Sequence, residues 1–279
     1  MKKRWILTGA VLAIMACWLL RGNTALTVSN YTVTSDRVPE AFSGFRIVQV
    51  SDLHNASFGE ENRRLLAELE EAEPDIIIFT GDLVDSRRTD MGVALSFAQQ
   101  AVEIAPCYYV TGNHEARIAR LTELLDGLTE AGVTILRNDA VTLIREGDSL
   151  VLLGVDDPSF TTDYLTGDGA AVMAEALAAL VTDAYTVLLS HRPELFDIYH
   201  QFGVDLVFSG HAHGGQFRLP FVGGLIAPNQ GLFPRYDAGR FQKGNTSMVV
   251  SRGLGASIIP IRIGNPPEIV VTELHREEK

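Results

Sequence analysis

Five apolar runs of strand length in this chain each end in a block of Asp, His or Asn residues, and this recurrence most constrains the fold. The blocks are "SDLH", "TGDLVD", "TGNHE", "LSH" and "SGHAH". Polar residues in these positions are typical of open α/β sheets, where the loops beyond the carboxyl ends of parallel strands meet at one edge and bind ligands. The blocks therefore predict that side chains distant in sequence converge on a single site.

Strands and helices alternate around the first three blocks. The apolar runs "FRIVQVS", "DIIIFT" and "CYYVTG" are separated or followed by helical patterns at 60–72, 91–104 and 117–132. This βαβαβα order predicts an α/β fold with parallel strands. From about residue 133 the runs "VTILRN", "AVTLIREG" and "SLVLLGVDD" leave no room for helices, so they predict an antiparallel group. Two more helices and four more strands follow.

The side chains of the five blocks are suited to binding metal ions. The candidate ligands are Asp52, His54, Asp82, Asn113, His191, His211 and His213. Because residues i and i+2 of an extended stretch point the same way, Asp52 and His54 are expected to face one cavity, and so are His211 and His213. Imidazole, carboxylate and amide donors together suit Mn, Fe, Zn or similar ions. Any one of these residues alone would be an ordinary turn residue or helix cap, but the set predicts a metal site.

The order of these motifs resembles that of the calcineurin-like metallophosphoesterases. D-x-H, G-D-x-x-D, G-N-H-E, H and G-H-x-H follow one another between Asp52 and His213, and every element is intact. The resemblance implies a four-layer α/β/β/α sandwich with the metal site at the carboxyl ends of the strands. It also implies an enzyme that hydrolyses phosphodiester or pyrophosphate bonds, through in-line attack by a hydroxide that bridges two divalent metal ions.

The same resemblance implies a role for each residue of the blocks. Asp82 would bridge the two ions. The other ligands would be Asp52, His54 and His213 for one ion, and Asn113, His191 and His211 for the second. His114 stands in the family's position for the residue that stabilises or protonates the leaving oxygen, and Asp85 in that of the carboxylate that orients His114. The donors do not select one metal, although manganese is among the ions they suit.

The substrate stays open at this stage. The layout of "VSDLH", "GHAHGGQ", "SRGLG" and "NPPEIVVTEL" is similar to the membrane-associated bacterial branch of the family, which includes proteins that act on UDP-diacylglucosamine-type lipid precursors. This similarity favours a lipid or nucleotide-sugar lipid substrate. A general phosphomonoesterase, a nucleotide phosphodiesterase and a non-catalytic metal-binding scaffold are the alternatives. Ser86, where protein serine/threonine phosphatases carry Arg, argues against that class, and the net charge of −12 argues against nucleic acid.

The segment 214–241 combines glycines and prolines with many apolar residues, and it has two interpretations. It is either a loop packed on the sheet or a lip beside the metals that admits an acyl chain or meets a bilayer. In the second case Arg218 or Arg235 would lie near a phosphate.

The N-terminus differs from the rest of the chain. "MKKR" is followed by sixteen uncharged residues, "WILTGAVLAIMACWLL", and then by Arg21. This pattern predicts an uncleaved anchor in the cell membrane with the catalytic domain on the extracytoplasmic side; a cleaved signal or a lipoprotein signal is the alternative. The expected division is an anchor or signal at 1–24, a tether at 25–39 and the catalytic domain at 40–279.

Overall fold

Two six-stranded sheets form the framework of the chain. The structure is a computed structural model that describes residues 22–163, 167–256 and 260–277, together with Trp5 and Gly9. The strands are β1 (Thr27–Ser35), β2 (Arg46–Val50), β3 (Ile76–Thr80), β4 (Cys107–Val110), β5 (Thr134–Ile135), β6 (Asp139–Arg145), β7 (Asp148–Gly154), β8 (Thr186–Leu189), β9 (Leu206–Ser209), β10 (Arg218–Leu219), β11 (Gly223–Gly224), β12 (Ile226–Ala227), β13 (Gly231–Leu232), β14 (Gly239–Lys243), β15 (Thr246–Val250) and β16 (Glu268–Arg276). The first sheet has the order β1-β16-β2-β3-β4-β5 and the second β14-β15-β9-β8-β7-β6, while β10–β11 and β12–β13 form two small hairpins.

Five α-helices that lie wholly within the described residues cover the outer faces of the sheets. They are α1 (Arg63–Glu71), α2 (Met91–Ala101), α3 (Leu121–Glu130), α4 (Gly169–Leu180) and α5 (Phe196–Gln201). Short 3-10 turns lie at Glu40–Phe42, Glu60–Asn62, Glu115–Arg117, Pro158–Phe160, Pro193–Leu195 and His213–Gly215. Two helix starts are fixed by side-chain caps, because Asp90 accepts a hydrogen bond from Gly92 N–H and Asp168 accepts one from Ala171 N–H.

The central strands divide their side chains between two apolar layers. In β2, Val48 packs on the side of helices α1–α3 and Ile47 on the side of the second sheet. The second sheet repeats this alternation, since Leu206 faces the first sheet and Val207 packs with residues of α4 and α5. Three apolar layers therefore separate four layers of secondary structure. The predicted α/β/β/α fold class is confirmed.

Parallel strands dominate both sheets and set where the polar blocks lie. Strands β2, β3, β4 and β5 pair in parallel, as do β15, β9, β8 and β7. The blocks follow β2, β3, β4, β8 and β9, so they leave the carboxyl ends of strands in both sheets. A hydrogen bond from Gln49 Nε2 to the carbonyl of Ser209, 2.9 Å long, joins the two sheets close to these ends. The site is thus built from two sheets rather than one.

The group predicted as antiparallel is divided between the sheets. Strand β5 pairs in parallel with β4, because helix α3 carries the chain across the sheet before β5 begins. Of the three runs predicted as antiparallel, only the two that form β6 and β7 pair as an antiparallel hairpin. Their turn consists of Glu146 and Gly147, which both have positive φ, as a two-residue turn between twisted strands requires.

The segment expected to be a tether contains a nine-residue strand. Strand β1 lies at the edge of the first sheet and pairs in parallel with β16 from Thr27–Glu268 to Ser35–Arg276. The hydroxyl of Thr27 also donates to the carbonyl of Pro267. The division into 1–24, 25–39 and 40–279 stays a prediction.

The predicted location in the cell membrane is wrong. No helix among the described residues is long and apolar enough to cross a membrane. The longest of them, α4, has 12 residues and therefore spans about 18 Å, against about 30 Å for the hydrocarbon core of a bilayer. The apolar run on which the prediction rested falls outside the described residues except for Trp5 and Gly9.

Candidate metal centre

The polar blocks bring their ligand-type side chains together at the carboxyl ends of the strands. Three groups of buried residues each present donor atoms within 4.8 Å of one another. The groups are Asp52, His54 and His213; His54, Asp82 and His114; and Asp82, His191 and His211. Because His54 and Asp82 each belong to two groups, the three sets form one continuous centre.

One half of the centre combines residues from the block after β2 and from the turn after β9. The Nε2 atom of His213 lies 3.2 Å from Nε2 of His54 and 3.3 Å from Oδ1 of Asp52. The two imidazole rings stack with their centroids 5.0 Å apart. Two ring nitrogens and one carboxylate oxygen thus surround a common point, which is a donor set that suits a divalent transition metal.

The other half is organised around Asp82. Oδ2 of Asp82 lies 3.2 Å from Nε2 of His191 and 3.6 Å from Nε2 of His54, so this carboxylate stands between the halves. The Nδ1 atom of His191 is 2.7 Å from the carbonyl oxygen of Thr80, which acts as the acceptor when the ring presents Nε2 to a metal.

Asn113 completes the set of predicted ligands. It follows Gly112 after β4 and is almost fully buried, and its Oδ1 has no hydrogen-bond partner among the described residues. A buried amide oxygen without a partner is costly unless something else satisfies it. This unpartnered oxygen fits the proposal of a metal ligand.

The backbone of the centre is held in an unusual conformation. Five of the predicted ligands have φ values in the left-handed region: Asp52 (51°), His54 (47°), Asp82 (54°), His211 (64°) and His213 (47°). Such conformations are uncommon outside glycine and concentrate where function requires them. The expected extended geometry is therefore absent. Asp52 and His54 still face one half together, whereas His211 and His213 diverge into different halves.

Two glycines leave room for the carboxylates. A Cβ atom at Gly112 would lie 2.3 Å from Oδ1 of Asp82, and one at Gly210 would lie 2.4 Å from Oδ2 of Asp52. No other residue fits at either position without moving the carboxylate beside it.

Nearby histidines stabilise the ionised form of the buried Asp82. Burial by itself would raise the pKa of Asp82, but His191, His114 and His54 hold it well below its usual range. In turn the pKa of His191 is raised to about 10, because the attraction of Asp82 and Asp52 outweighs the opposing effect of burial. Burial lowers the pKa of His213 to about 3, so His213 is a neutral imidazole at pH 7, the form that binds metal.

His114 is held by Ser86 rather than directly by Asp85. The backbone N–H of Ser86 donates to Nδ1 of His114 over 3.0 Å, whereas Oδ1 of Asp85 is 3.9 Å from that atom. Asp85 pairs with the guanidinium of Arg87 over 2.7 Å. Because Nδ1 accepts a hydrogen bond from the Ser86 N–H, the neutral ring carries its own proton on Nε2. The roles predicted for Asp85 and His114 stay predictions.

Glu115 and Arg192 are site residues that sequence reasoning missed. Arg192 is buried, forms a two-pronged ion pair with Asp157, and places Nη1 3.3 Å from Nε2 of His211 and 3.0 Å from Oδ1 of Asn229. Its position directly after His191 was the available signal. Glu115 was visible as the last residue of "GNHE".

Glu115 holds the loops that carry the ligands. Its carboxyl group is completely buried and accepts hydrogen bonds from the N–H groups of Asp82 (2.8 Å), Gly112 (2.7 Å) and Val84 (3.3 Å). Burial, together with the charge of Asp82, raises its pKa to about 7.

We expect Glu115→Ala to lower the free energy of unfolding by about 2 kcal/mol or more, because it leaves three buried N–H donors without an acceptor. Chemical denaturation followed by circular dichroism measures this change. Glu115→Gln, which keeps one acceptor oxygen, should cost less. Equal stability of the alanine variant and the unmodified chain would contradict the assignment.

Comparison with known proteins finds one matching family and several similar proteins. Residues 45–215 match the family described as calcineurin-like phosphoesterase. The chain is 31% identical over 256 residues to the metallophosphoesterase YkuE of Bacillus subtilis (strain 168), covering 89% of this chain and 85% of that protein. It is 29% identical over 238 residues to the phosphodiesterase YaeI of Escherichia coli (strain K12), covering 82% of each. The crystal structure of TT1561 from Thermus thermophilus shares the fold, with a TM-score of 0.51 at 15% identity over 76% of this chain and 91% of that chain.

Proposed function

The chain belongs to the calcineurin-like phosphoesterase family, and from that premise we propose that it hydrolyses phosphodiester or pyrophosphate bonds, with lipid or nucleotide-sugar lipid substrates as the preferred class. Membership makes it a metal-dependent phosphoester hydrolase with a two-metal cofactor, and the three donor groups of the centre fit that cofactor. The identity of the metals stays open, since these donors accept several ions.

The assignment of ligands follows the two halves of the centre. Asp82 would bridge the ions, because its carboxylate stands between both halves. The remaining ligands would be Asp52, His54 and His213 on one side and Asn113, His191 and His211 on the other. When bound, two divalent ions supply a water acidic enough to act as a nucleophile and positive charge for the phosphate oxygens. That positive charge also allows a chain of net charge −12 to attract an anion.

The chain's own contribution to the reaction centres on His114. Its ring packs edge-on against His54 with centroids 4.5 Å apart, and its backbone N–H donates to Oδ1 of Asp82 over 2.7 Å. Since Nδ1 accepts a hydrogen bond from the Ser86 N–H, the neutral ring carries on Nε2 the proton that would pass to a leaving oxygen. His114 therefore suits the role of proton donor.

The proposal rests on one observation above all. Asp82 and His54 each belong to two of the three groups of buried donors. The test is hydrolysis by the full chain, supplied with Mn²⁺, of p-nitrophenyl phosphate, bis-p-nitrophenyl phosphate and a UDP-diacylglucosamine. We expect the diester and the pyrophosphate to be cleaved faster than the monoester. Preference for the monoester would favour a general phosphomonoesterase, and no turnover with two metals bound would favour the scaffold.

The preference for lipid rests on the surface beside the centre. Within the segment 214–241 we define the lip as residues 217–236, which contain Arg218 and Arg235; Arg218 forms an ion pair with Asp237, the residue directly after the lip, over 2.8 Å. Phe221 is fully exposed and Phe233 is 66% exposed, and both have positive φ. The lip adjoins the metal centre, because Oδ1 of Asn229 lies 2.9 Å from Nε2 of His211. An exposed apolar surface that carries the exposed Arg235 beside a phosphoesterase site suits an acyl chain attached to an anionic group.

We expect the double substitution Phe221→Ser and Phe233→Ser to lower kcat/KM for a lipid phosphoester about tenfold, because partial burial of two phenyl rings contributes on the order of 1–2 kcal/mol. Hydrolysis of bis-p-nitrophenyl phosphate should change less than about twofold on the same reasoning. The matched control is Ile144→Ser, which removes an exposed apolar side chain from β6. Equal losses on both substrates would contradict the role of the lip.

A further inference from the structure

A C-terminal segment packs behind one half of the metal centre. We define the support segment as residues 251–256 and 260–265, which include the motif "SRGLG" and the first residue of "NPPE". Its backbone pairs with the block after β2, since Leu254 N–H donates to the carbonyl of Ser51 and Gly255 N–H to that of Asp52, over 3.0 and 2.6 Å. A Cβ atom at Gly255 would lie 2.3 Å from the carbonyl oxygen of Leu53. The close approach of the two chains therefore depends on this glycine.

Arg262 ties the support segment to a predicted ligand. Its side chain is 1% exposed, and no carboxylate of the described residues forms an ion pair with it. Nη1 donates to the carbonyl of Arg252 over 2.9 Å and Nε to that of Gly255 over 3.1 Å. Nη2 also reaches the Gly255 carbonyl and lies 3.5 Å from Nδ1 of His213. A buried guanidinium held by two carbonyls thus lies beside Nδ1 of His213, while Nε2 of the same ring lies near Asp52.

The side chain of Asn265 holds the backbone of the same ligand, His213. Its side chain is completely buried, and Nδ2 donates to the carbonyl of His213 over 2.7 Å and to that of Gln216 over 3.2 Å. These two bonds hold the tight turn in which His213 has a positive φ.

The second half of the centre is backed by different residues. Thr80 holds His191 through its carbonyl, while Arg192 and Asn229 contact His211. Arg262 and Asn265 contact His213 and the segment that pairs with Asp52. The side chains that back the two halves are therefore different, although the halves are linked by hydrogen bonds from His211 N–H to the carboxylate of Asp52.

We propose that Arg262 and Asn265 are positioning residues for the metal ion of the Asp52, His54 and His213 half, with no corresponding part in binding the other ion. The inference rests on the proposed two-metal function. Groups that orient metal ligands typically change metal affinity about 10–100-fold when they are removed. A loss of affinity of that size for only one of the two ions would indicate positioning of its ligands. A general loss of stability would weaken the binding of both ions.

The test is calorimetric titration of Mn²⁺ into the metal-free full chain, with metal content measured in parallel. His213→Ala and His191→Ala identify which binding event belongs to which half. Arg262→Met and Asn265→Ala are each expected to weaken the event that His213→Ala removes by about tenfold or more, and to leave unchanged the event that His191→Ala removes. Arg262→Lys, which keeps a buried cation that can donate to carbonyls, should recover part of the affinity.

Arg252→Met is the matched control, because Arg252 belongs to the same segment but its side chain pairs with Glu268 and Thr27. Its two binding events should match those of the unmodified chain. Equal weakening of both events in Arg262→Met and Asn265→Ala, or no change in either, would overturn the inference. If Arg262→Met does not fold, Asn265→Ala decides the question. Failure of the unmodified chain to bind any Mn²⁺ would instead refute the proposed function.

Discussion

Replacing Asp82 with Asn is expected to lower kcat/KM for bis-p-nitrophenyl phosphate by about three orders of magnitude or more, the equivalent of about 4 kcal/mol of transition-state stabilisation. The carboxylate stands between the two halves, 3.6 Å from Nε2 of His54 and 3.2 Å from Nε2 of His191. A neutral amide is a weaker ligand and leaves the imidazoles without the charge that now balances them. Steady-state kinetics and metal content on the same preparation measure the effect.

Asp205→Asn is the matched control for this substitution. Asp205 is also a buried acid, but it precedes β9 at the amino end and pairs with Arg37. We expect it to reduce stability while the metal content stays unchanged. An Asp82→Asn variant that keeps two bound ions and near-normal turnover would remove Asp82 from the centre.

Replacing His114 with Ala is expected to lower kcat about 10²–10⁴-fold for a diester with a poor leaving group, because the proton on Nε2 can no longer be donated to the leaving oxygen. The effect should be much smaller for p-nitrophenyl esters, since nitrophenolate leaves without a proton. KM and metal content should stay near normal. The measurement is a comparison of kcat across substrates that differ only in the leaving alcohol.

His275→Ala provides the control for loss of an imidazole, because His275 is partly exposed on β16 and pairs with Glu273. A His114→Ala variant that loses bound metal would show that His114 acts as a ligand or a structural support. A loss of equal size for good and poor leaving groups would likewise exclude the role of proton donor.

The candidate ligands could be chosen from the sequence because that information is local. Each block follows a buried strand directly, and the ends of parallel strands meet at one edge. This reasoning located Asp82, His191 and His213 without any knowledge of contacts between them. It failed for the backbone, since the left-handed conformations at Asp52 and His54 depend on tertiary packing and not on the extended pattern of the flanking strand.

Some of the contacts that support the ligands join residues far apart in sequence, and these contacts could not be predicted. Arg262 is separated from His213 by 49 positions, and neither residue's neighbours signal the contact. Glu115 supports Asp82 across 33 positions. The motifs "SRGLG" and "NPPE" were noticed, but their place behind Asp52 and His213 became apparent only from the packing of the two sheets.

Two further differences also arise from packing. Strand β5 joins the first sheet because helix α3 crosses that sheet before it, although the short loops after β5 indicated an antiparallel group. Asp85 pairs with Arg87 and leaves His114 to the backbone of Ser86, a contact that the family motif alone does not predict.

The most direct test of the two-metal phosphoesterase is the rate of bis-p-nitrophenyl phosphate hydrolysis by the metal-free full chain as Mn²⁺ is added. The account predicts negligible turnover without metal and a rate that rises until two equivalents per chain are bound, then stays constant. Turnover that survives removal of metal, or a rate that is complete at one equivalent, would contradict it.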